Sequence, residues 1–169
     1  MMNKVCAVIG CAALFFAGPP AGAATCTSQC DGGFEFLVGD WFVKNRAGQP
    51  IATDAVWEAG ACTLIEHWRG VNDTGDGLAV TTYRVRRRTW HREALIRSST
   101  VISFEGRTVG RTMVMAAKQY AGSSISPTLH RITWTPKRDG SIEELWQVSN
   151  NGGASWHTQF DEFLVRIAE

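Results

Sequence analysis

The chain has 169 residues, of which 44% are hydrophobic, and a formal net charge of +1. This length fits a single domain, and the balanced charge argues against a nucleic-acid-binding protein or one attracted to membrane surfaces by its charge. After the first 18 residues no apolar run is long enough to cross a bilayer, so stable membrane insertion is not expected.

Residues 1–23 have the pattern of a secretory signal peptide. Lys4 precedes an apolar run that ends at Gly18, and the small-residue stretch PPAGAA predicts cleavage after Ala23 or Ala24. The segment VIGC is similar to a lipoprotein box, but the apolar stretch before Cys11 is short for that purpose, so lipid anchoring is not expected. We therefore predict a periplasmic or secreted protein with an N-terminal segment at 24–33 and a folded domain at 34–169.

Three cysteines remain after the signal peptide, in a compartment that permits disulfides. We predict one bridge from Cys62 to Cys26 or Cys30, which would tie the N-terminal segment to the domain. A zinc site is disfavoured because the C-x₃-C spacing lacks the C-x₂-C pairing typical of such sites.

From Phe34 onward the hydrophobic pattern has a period of two residues, which is typical of strands. Turn signals such as AGQP, EG at 105–106 and KRDG separate the strands, and residues 34–38 are predicted to form a helical turn. The candidate strands are 40–46, 54–59, 62–69, 78–87, 89–97, 100–104, 108–117, 128–135, 141–148 and 156–166.

This arrangement predicts an all-β fold with little helix, an antiparallel up-and-down β-barrel of about 8–10 strands. Closing the sheet removes two exposed edges, and a barrel of this size can hold one small ligand. A sandwich is the alternative architecture. Trp41 is predicted to fill one end of the barrel, stacked by an arginine of the last strand such as Arg166.

The segment SNNGGASW at 149–156 resembles the Asp-box hairpin of sialidases, with Asn151 in place of the usual aspartate. In such a turn, polar side chains satisfy backbone donors and the tryptophan packs beneath them. The motif is structural, so it does not predict glycosidase activity.

Four predicted strands carry one mostly apolar face that combines tryptophan with a single ionisable residue or histidine. A charge on such a face is costly to bury without a partner, so these side chains are candidates for a binding site. The pairs along the four strands are Glu66 and Trp68, Trp90 and Arg92, His130 and Trp134, and Glu144 and Trp146.

If these faces line one barrel, Glu66, Arg92 and Glu144 could orient the polar end of a mainly apolar ligand. The same three residues are the catalytic candidates, because a buried carboxylate with a shifted pKa can transfer a proton. A buried ion network that only stabilises the fold, or side chains that face solvent, would also fit this pattern.

No metal or cofactor is predicted. The four histidines lack metal-ligand spacing, and the sequence contains no phosphate-binding glycine loop, nucleophile elbow or H-E-x-x-H helix.

Over residues 34–167 the sequence resembles a bacterial exported, lipocalin-like (calycin-type) domain family of unknown function. The segments that carry the resemblance are FEFLVGDWFV, ACTLIEHWRG, TWHREALI, LHRITWTPKRDG and IEELWQVSNNGGASWHTQFDEFLVR. The residues that match the family pattern are Gly39, Trp41, Cys62, Glu66, Trp68, Trp90, Trp146, Ser149, Gly152, Gly153 and Trp156.

The chain departs from the family pattern at three inward candidates. Arg92 and Glu144 stand where the family has glutamine, and Ala94 stands where it has tryptophan. The resemblance implies a lipocalin-like barrel, and these differences imply a pocket of different charge and shape.

The sequence favours an exported β-barrel that binds a small, mainly apolar molecule in its interior. One alternative is a cofactor-independent isomerase, cyclase or hydrolase that uses Glu66 or Glu144 as general acid or base. The other is a structural or interaction protein of the cell envelope whose barrel is filled by its own side chains.

Overall fold

The computed structural model describes residues 33–73, 75–96, 100–121 and 125–168. Ten antiparallel strands form a closed barrel in which each strand pairs with the next along the chain and β1 pairs with β10. The predicted all-β up-and-down barrel is therefore confirmed. The strands are β1 Gly39–Asn45, β2 Pro50–Glu58, β3 Thr63–Gly70, β4 Asp76–Arg84, β5 Thr89–Ile96, β6 Thr100–Val109, β7 Thr112–Gln119, β8 Thr128–Pro136, β9 Ile142–Ser149 and β10 His157–Arg166. Two short 3₁₀ helices lie at Glu35–Leu37 and Val71–Asp73.

The predicted turn at Glu105–Gly106 is wrong, because both residues lie inside β6. A Cβ atom on Gly106 would lie 2.1 Å from the carbonyl oxygen of Val114 on the neighbouring strand. The glycine therefore marks a close approach of two backbones within the sheet, a role that isolated strand glycines often have. The chain turns instead at Gly110, whose φ of +62° suits a residue without a side chain.

Aromatic side chains fill one end of the barrel, which we call the closed end. Phe34 is fully buried there. Its ring lies 5.7 Å from that of Trp90 and 5.3 Å from that of Trp134, between centroids. The first 3₁₀ helix, which confirms the predicted helical turn, lays Leu37 across the same end. This end of the barrel is a packed hydrophobic core.

Trp41 occupies the position predicted for it at the closed end and is almost fully buried. Its indole N–H donates to the carbonyl of Leu37 at 2.8 Å, and the Arg166 guanidinium carbon lies 4.2 Å from the ring centroid. Arg166 also donates to the carbonyl of Val38 at 3.2 Å. These contacts fasten the N-terminal 3₁₀ helix to the first and last strands.

The loop 149–156 is a side-chain-stabilised turn, as its sequence predicted. The Asn151 side-chain oxygen accepts from the backbone N–H of Ser155 at 2.9 Å, and the Ser149 hydroxyl accepts from that of Gly153 at 2.9 Å. Trp156 packs under Arg131, whose guanidinium carbon is 4.5 Å from the ring centroid. Asn151 thus supplies the acceptor that an aspartate would supply.

The predicted signal peptide and the cysteines Cys11, Cys26 and Cys30 lie outside the described residues. Cys62 is buried immediately before β3, and its bridge to Cys26 or Cys30 stays a prediction. Within the described ranges, no helix combines the length and the hydrophobicity that a transmembrane span requires.

Candidate functional site

The half of the barrel opposite the closed end is hollow. A cavity of about 250 Å³, which we call the inner cavity, lies among residues of two groups of adjacent strands, β2–β5 and β8–β10. Its apolar lining consists of Ile51, Trp68, Leu78, Ala79, Ala94, Leu95, Ile96, Ile132, Trp146 and Phe160. Its ionisable lining consists of Asp54, Glu66, Asp76, Arg92, Glu144 and Glu162.

A second cavity of about 440 Å³, the outer cavity, lies at the open rim. It is lined by residues from the ends of β5, β6, β8, β9 and β10, including Thr100, Thr128 and Gln159. Ile96, Trp146 and Phe160 line both cavities. The outer cavity therefore adjoins the inner one.

A buried ion pair joins β5 to β3 beside the inner cavity. The two terminal nitrogens of Arg92 donate to the two carboxylate oxygens of Glu66 at 2.8 and 2.5 Å, and one of them also reaches the hydroxyl of Thr81 at 3.3 Å. Burial lowers the pKa of Arg92, but Glu66 and the other carboxylates more than offset this effect and leave it raised. Arg92 is thus a fixed cation whose charge Glu66 neutralises.

Asp54 brings a third ionisable group to this cluster from the middle of β2. The residue is 4% exposed, and one oxygen of its carboxyl group has no hydrogen-bond partner among the described residues. Burial raises the pKa of Asp54 to about 9, and the carboxylates of Glu66 and Glu144 add to the rise. Asp54 is therefore protonated at neutral pH.

Glu144 and Glu162 lie directly opposite each other on β9 and β10. Like charges in such a cross-strand pair repel. Burial raises the pKa of Glu144 to about 8, with help from Glu66 and Glu162, although Arg92 and a hydrogen bond from Trp134 lower it. Burial, together with Asp161, raises the pKa of Glu162 to about 7. Near pH 7 the pair therefore holds at least one proton.

His130 connects the cluster to the outer cavity. Its Nδ1 lies 3.2 Å from the indole nitrogen of Trp146, which donates to it, and its Nε2 lies 3.2 Å from the side-chain oxygen of Gln119. Burial lowers the pKa of His130. A neutral imidazole that accepts at Nδ1 and donates at Nε2 satisfies both contacts, so His130 holds the Trp146 ring in place.

The structure brings together most of the residues that the sequence singled out. Glu66, Trp68, Arg92, Glu144 and Trp146 all line the inner cavity, and His130 lines the outer one.

Trp90 and Trp134 line neither cavity in the described part of the chain, because both pack on Phe34 at the closed end. Alternation predicts which face of β5 and β8 these side chains occupy, but not that they lie near the end of the barrel. Trp134 still touches the cluster through its hydrogen bond to Glu144.

Sequence reasoning missed Asp54 and Glu162. Asp54 alternates with Ala52 and Val56 on the buried face of β2, and Glu162 alternates with Phe160 and Leu164 on β10. The sequence pattern that could have found them is the one that singled out Glu66 and Glu144. It is a single carboxylate among alternating apolar residues on one face of a strand. It was obscured in β2 because that strand begins at Pro50, four residues before the predicted start.

The arrangement can bind a polar group or move a proton, because it combines neutral carboxyl groups with an ion pair beside an apolar space. Across the ranges that the structure describes, no group of three or more histidine, cysteine or acidic side chains is placed to hold a metal ion. No protein-family model matches this sequence, and no curated protein is similar enough to count as a relative.

Proposed function

We propose that this protein binds a small, mainly apolar molecule inside the barrel and acts outside the cytoplasm. The observation that carries the proposal is the inner cavity, where aromatic and aliphatic side chains surround a small set of buried polar groups. Ligand sites commonly have this composition. In this cavity the apolar body of the ligand would contact Trp68 and Trp146. Its polar end would contact Glu66, Arg92 and Glu144.

The size of the cavity limits the ligand. An apolar cavity of about 150 Å³ holds one benzene molecule, so the 250 Å³ of the inner cavity suits roughly ten non-hydrogen atoms. A longer molecule would extend into the outer cavity. The presence of this space argues against a barrel filled entirely by its own side chains.

The direct test is mass spectrometry of small molecules released from protein purified from its native host. Recovery of one compound, in an amount comparable to the protein, is the expected result. The variant Ala94→Phe fills the inner cavity and should lose the compound. Ala116→Phe places the same ring on the exposed outer face of β7 and should retain it. Equal retention in both variants would refute binding in the inner cavity.

An enzyme is the second candidate, and the protonated state of Glu144 favours it. A carboxyl group whose pKa lies near 8 can donate a proton at neutral pH. Glu66 is held by Arg92, so Glu144 is the better candidate for general acid in an isomerase, cyclase or hydrolase. Arg92 would stabilise developing negative charge through donors that Glu66 does not engage, such as its Nε.

Incubating the recovered compound with the protein separates the two candidates. A carrier leaves the compound unchanged, whereas an enzyme converts it. In that case Glu144→Gln should abolish conversion while binding persists. Conversion that survives in Glu144→Gln would remove Glu144 from the reaction.

A further inference from the structure

The ionisable side chains that line the inner cavity are almost all acidic. It contains five acidic side chains and a single basic one, Arg92. Both terminal nitrogens of Arg92 are engaged by Glu66, so this cation is already neutralised. No basic side chain among the described residues forms an ion pair with Asp54, Glu144 or Glu162.

Asp54 is a second, independent feature of the cavity that a bound ligand would explain. A carboxyl oxygen that is buried without any hydrogen-bond partner is costly, and in native proteins it calls for an explanation. Asp54 is 4% exposed, lines the inner cavity, and has such an oxygen. A donor group on a ligand would satisfy it.

We propose that the polar group accepted by the inner cavity is a cation, the protonated amine or quaternary ammonium group of a small aromatic or alkyl molecule, with Asp54, Glu144 and Glu162 as its counter-charges. This inference rests on the proposed binding function and specifies the charge of the ligand. The aromatic lining fits the same ligand, because Trp68, Trp146 and Phe160 can face a cation with their rings as well as contact an apolar body.

An anionic ligand fits less well. Glu66 and Thr81 take up three of the five N–H groups of Arg92, and its Nε has no partner among the described residues. The guanidinium carbon lies 5.3 Å from the Trp134 ring centroid, towards the closed end of the barrel. An anion that reached this nitrogen would also face the surrounding carboxyl groups.

The ionisable groups around the site define its response to pH. Asp54, Glu66, Asp76, Arg92, Glu144 and Glu162 come from β2, β3, β4, β5, β9 and β10, and β8 contributes His130 to the outer cavity. With no cation present, burial raises the pKa of Asp54, Glu144 and Glu162 to about 9, 8 and 7. A bound cation lowers these values, so binding near pH 7 should release about one proton per ligand.

The test compares three probes of similar size and different charge, namely 2-phenylethylamine, 2-phenylethanol and phenylacetate. Isothermal titration calorimetry of the full protein at pH 7, in phosphate and in Tris buffer, gives affinity and proton release together. The amine should bind at least about tenfold more tightly than the alcohol and release protons. The alcohol should release none, and phenylacetate should bind most weakly.

Amide variants test whether the carboxyl groups cause the preference for the amine over the alcohol. Glu144→Gln and Glu162→Gln should each reduce the preference for amine over alcohol by about three- to tenfold and leave alcohol binding within about twofold. Each replaces a carboxyl group with an amide of nearly the same shape, so either variant suffices if the other fails to fold. Glu143→Gln is the control, because Glu143 binds Arg46 and Lys137 outside the cavity.

The outcomes separate this inference from the proposed function. If the alcohol or phenylacetate binds as tightly as the amine, and Ala94→Phe abolishes that binding, the cavity is a ligand site but the cation inference is refuted. If the amine preference is unchanged in both amide variants, the inference is likewise refuted. If no probe binds at millimolar concentration, the cation inference is refuted, whereas the binding function is decided by recovery of a compound from the native host.

Discussion

Glu144 makes the stability of the barrel depend on pH in a direction opposite to that of most carboxylates. Burial raises its pKa from 4.5 to about 8 in the folded protein. The folded state therefore binds a proton that the unfolded state has already lost above pH 4.5. The stability from this group is fully present below pH 4.5 and is lost as pH rises towards 8.

The substitution Glu144→Gln removes this loss of stability at high pH, because an amide cannot ionise. The amide has nearly the same shape and still accepts the hydrogen bond from Trp134. A shift from 4.5 to about 8 is worth on the order of 5 kcal/mol at 1.36 kcal/mol per pKa unit. Water in the open cavity screens part of this energy. We therefore expect the variant to be more stable than the natural protein by about 1–3 kcal/mol at pH 8, and equal to it at pH 4.

Urea denaturation followed by tryptophan fluorescence at pH 4, 5, 6, 7 and 8 measures this difference. Glu58→Gln, which removes an exposed carboxylate at the end of β2, is the control and should give a small difference that is the same at every pH. If the Glu144→Gln and natural proteins have parallel pH dependences, the carboxyl group is ionised at neutral pH in the folded barrel. Burial would then not raise the pKa of Glu144 in the folded protein.

Three further substitutions test other parts of the structure. Glu66→Gln leaves Arg92 buried without its carboxylate and should lower the unfolding free energy by about 3–5 kcal/mol in urea, whereas an unchanged value would show that the pair is open to solvent. Arg166→Ala removes the cation from the face of Trp41 and should cost about 1 kcal/mol by thermal denaturation; no cost would mean that the stacking is incidental. Asn151→Ala should cost about 1–2 kcal/mol and leave ligand binding unchanged, and a loss of binding would contradict its purely structural role.

The fold was predictable because period-two alternation and turn residues recur along the whole domain. All ten candidate strands are present, and the positions of Trp41 and Arg166 follow from strand order. The error at Gly106 arose because a glycine that permits close packing of two strands looks, in sequence, like one that permits a turn. The close approach of Val114 and Met115 on the neighbouring strand distinguishes them.

The candidate site was less predictable, because depth along the barrel axis is not encoded in alternation. Trp90 and Arg92 share one face of β5, yet the first fills the closed end and the second borders the cavity. The pairing of Glu66 with Arg92 and the contact between Glu144 and Glu162 depend on strand register. Register determines which carboxyl group receives a partner and which keeps its proton.

The two ends of the barrel have different roles, because the packed end stabilises the fold and the hollow end holds the cavities. The strands are held together at the closed end by the buried side chains of Phe34, Trp41 and Trp134. Side chains at the other end are therefore less needed for this packing. Positions such as Ala94 and Ile96 border the inner cavity, so they can change in size with less effect on folding than Phe34 or Trp134. A scaffold built in this way is well suited to acquiring new ligands, by natural selection or by design, through substitutions confined to the lining of its cavities.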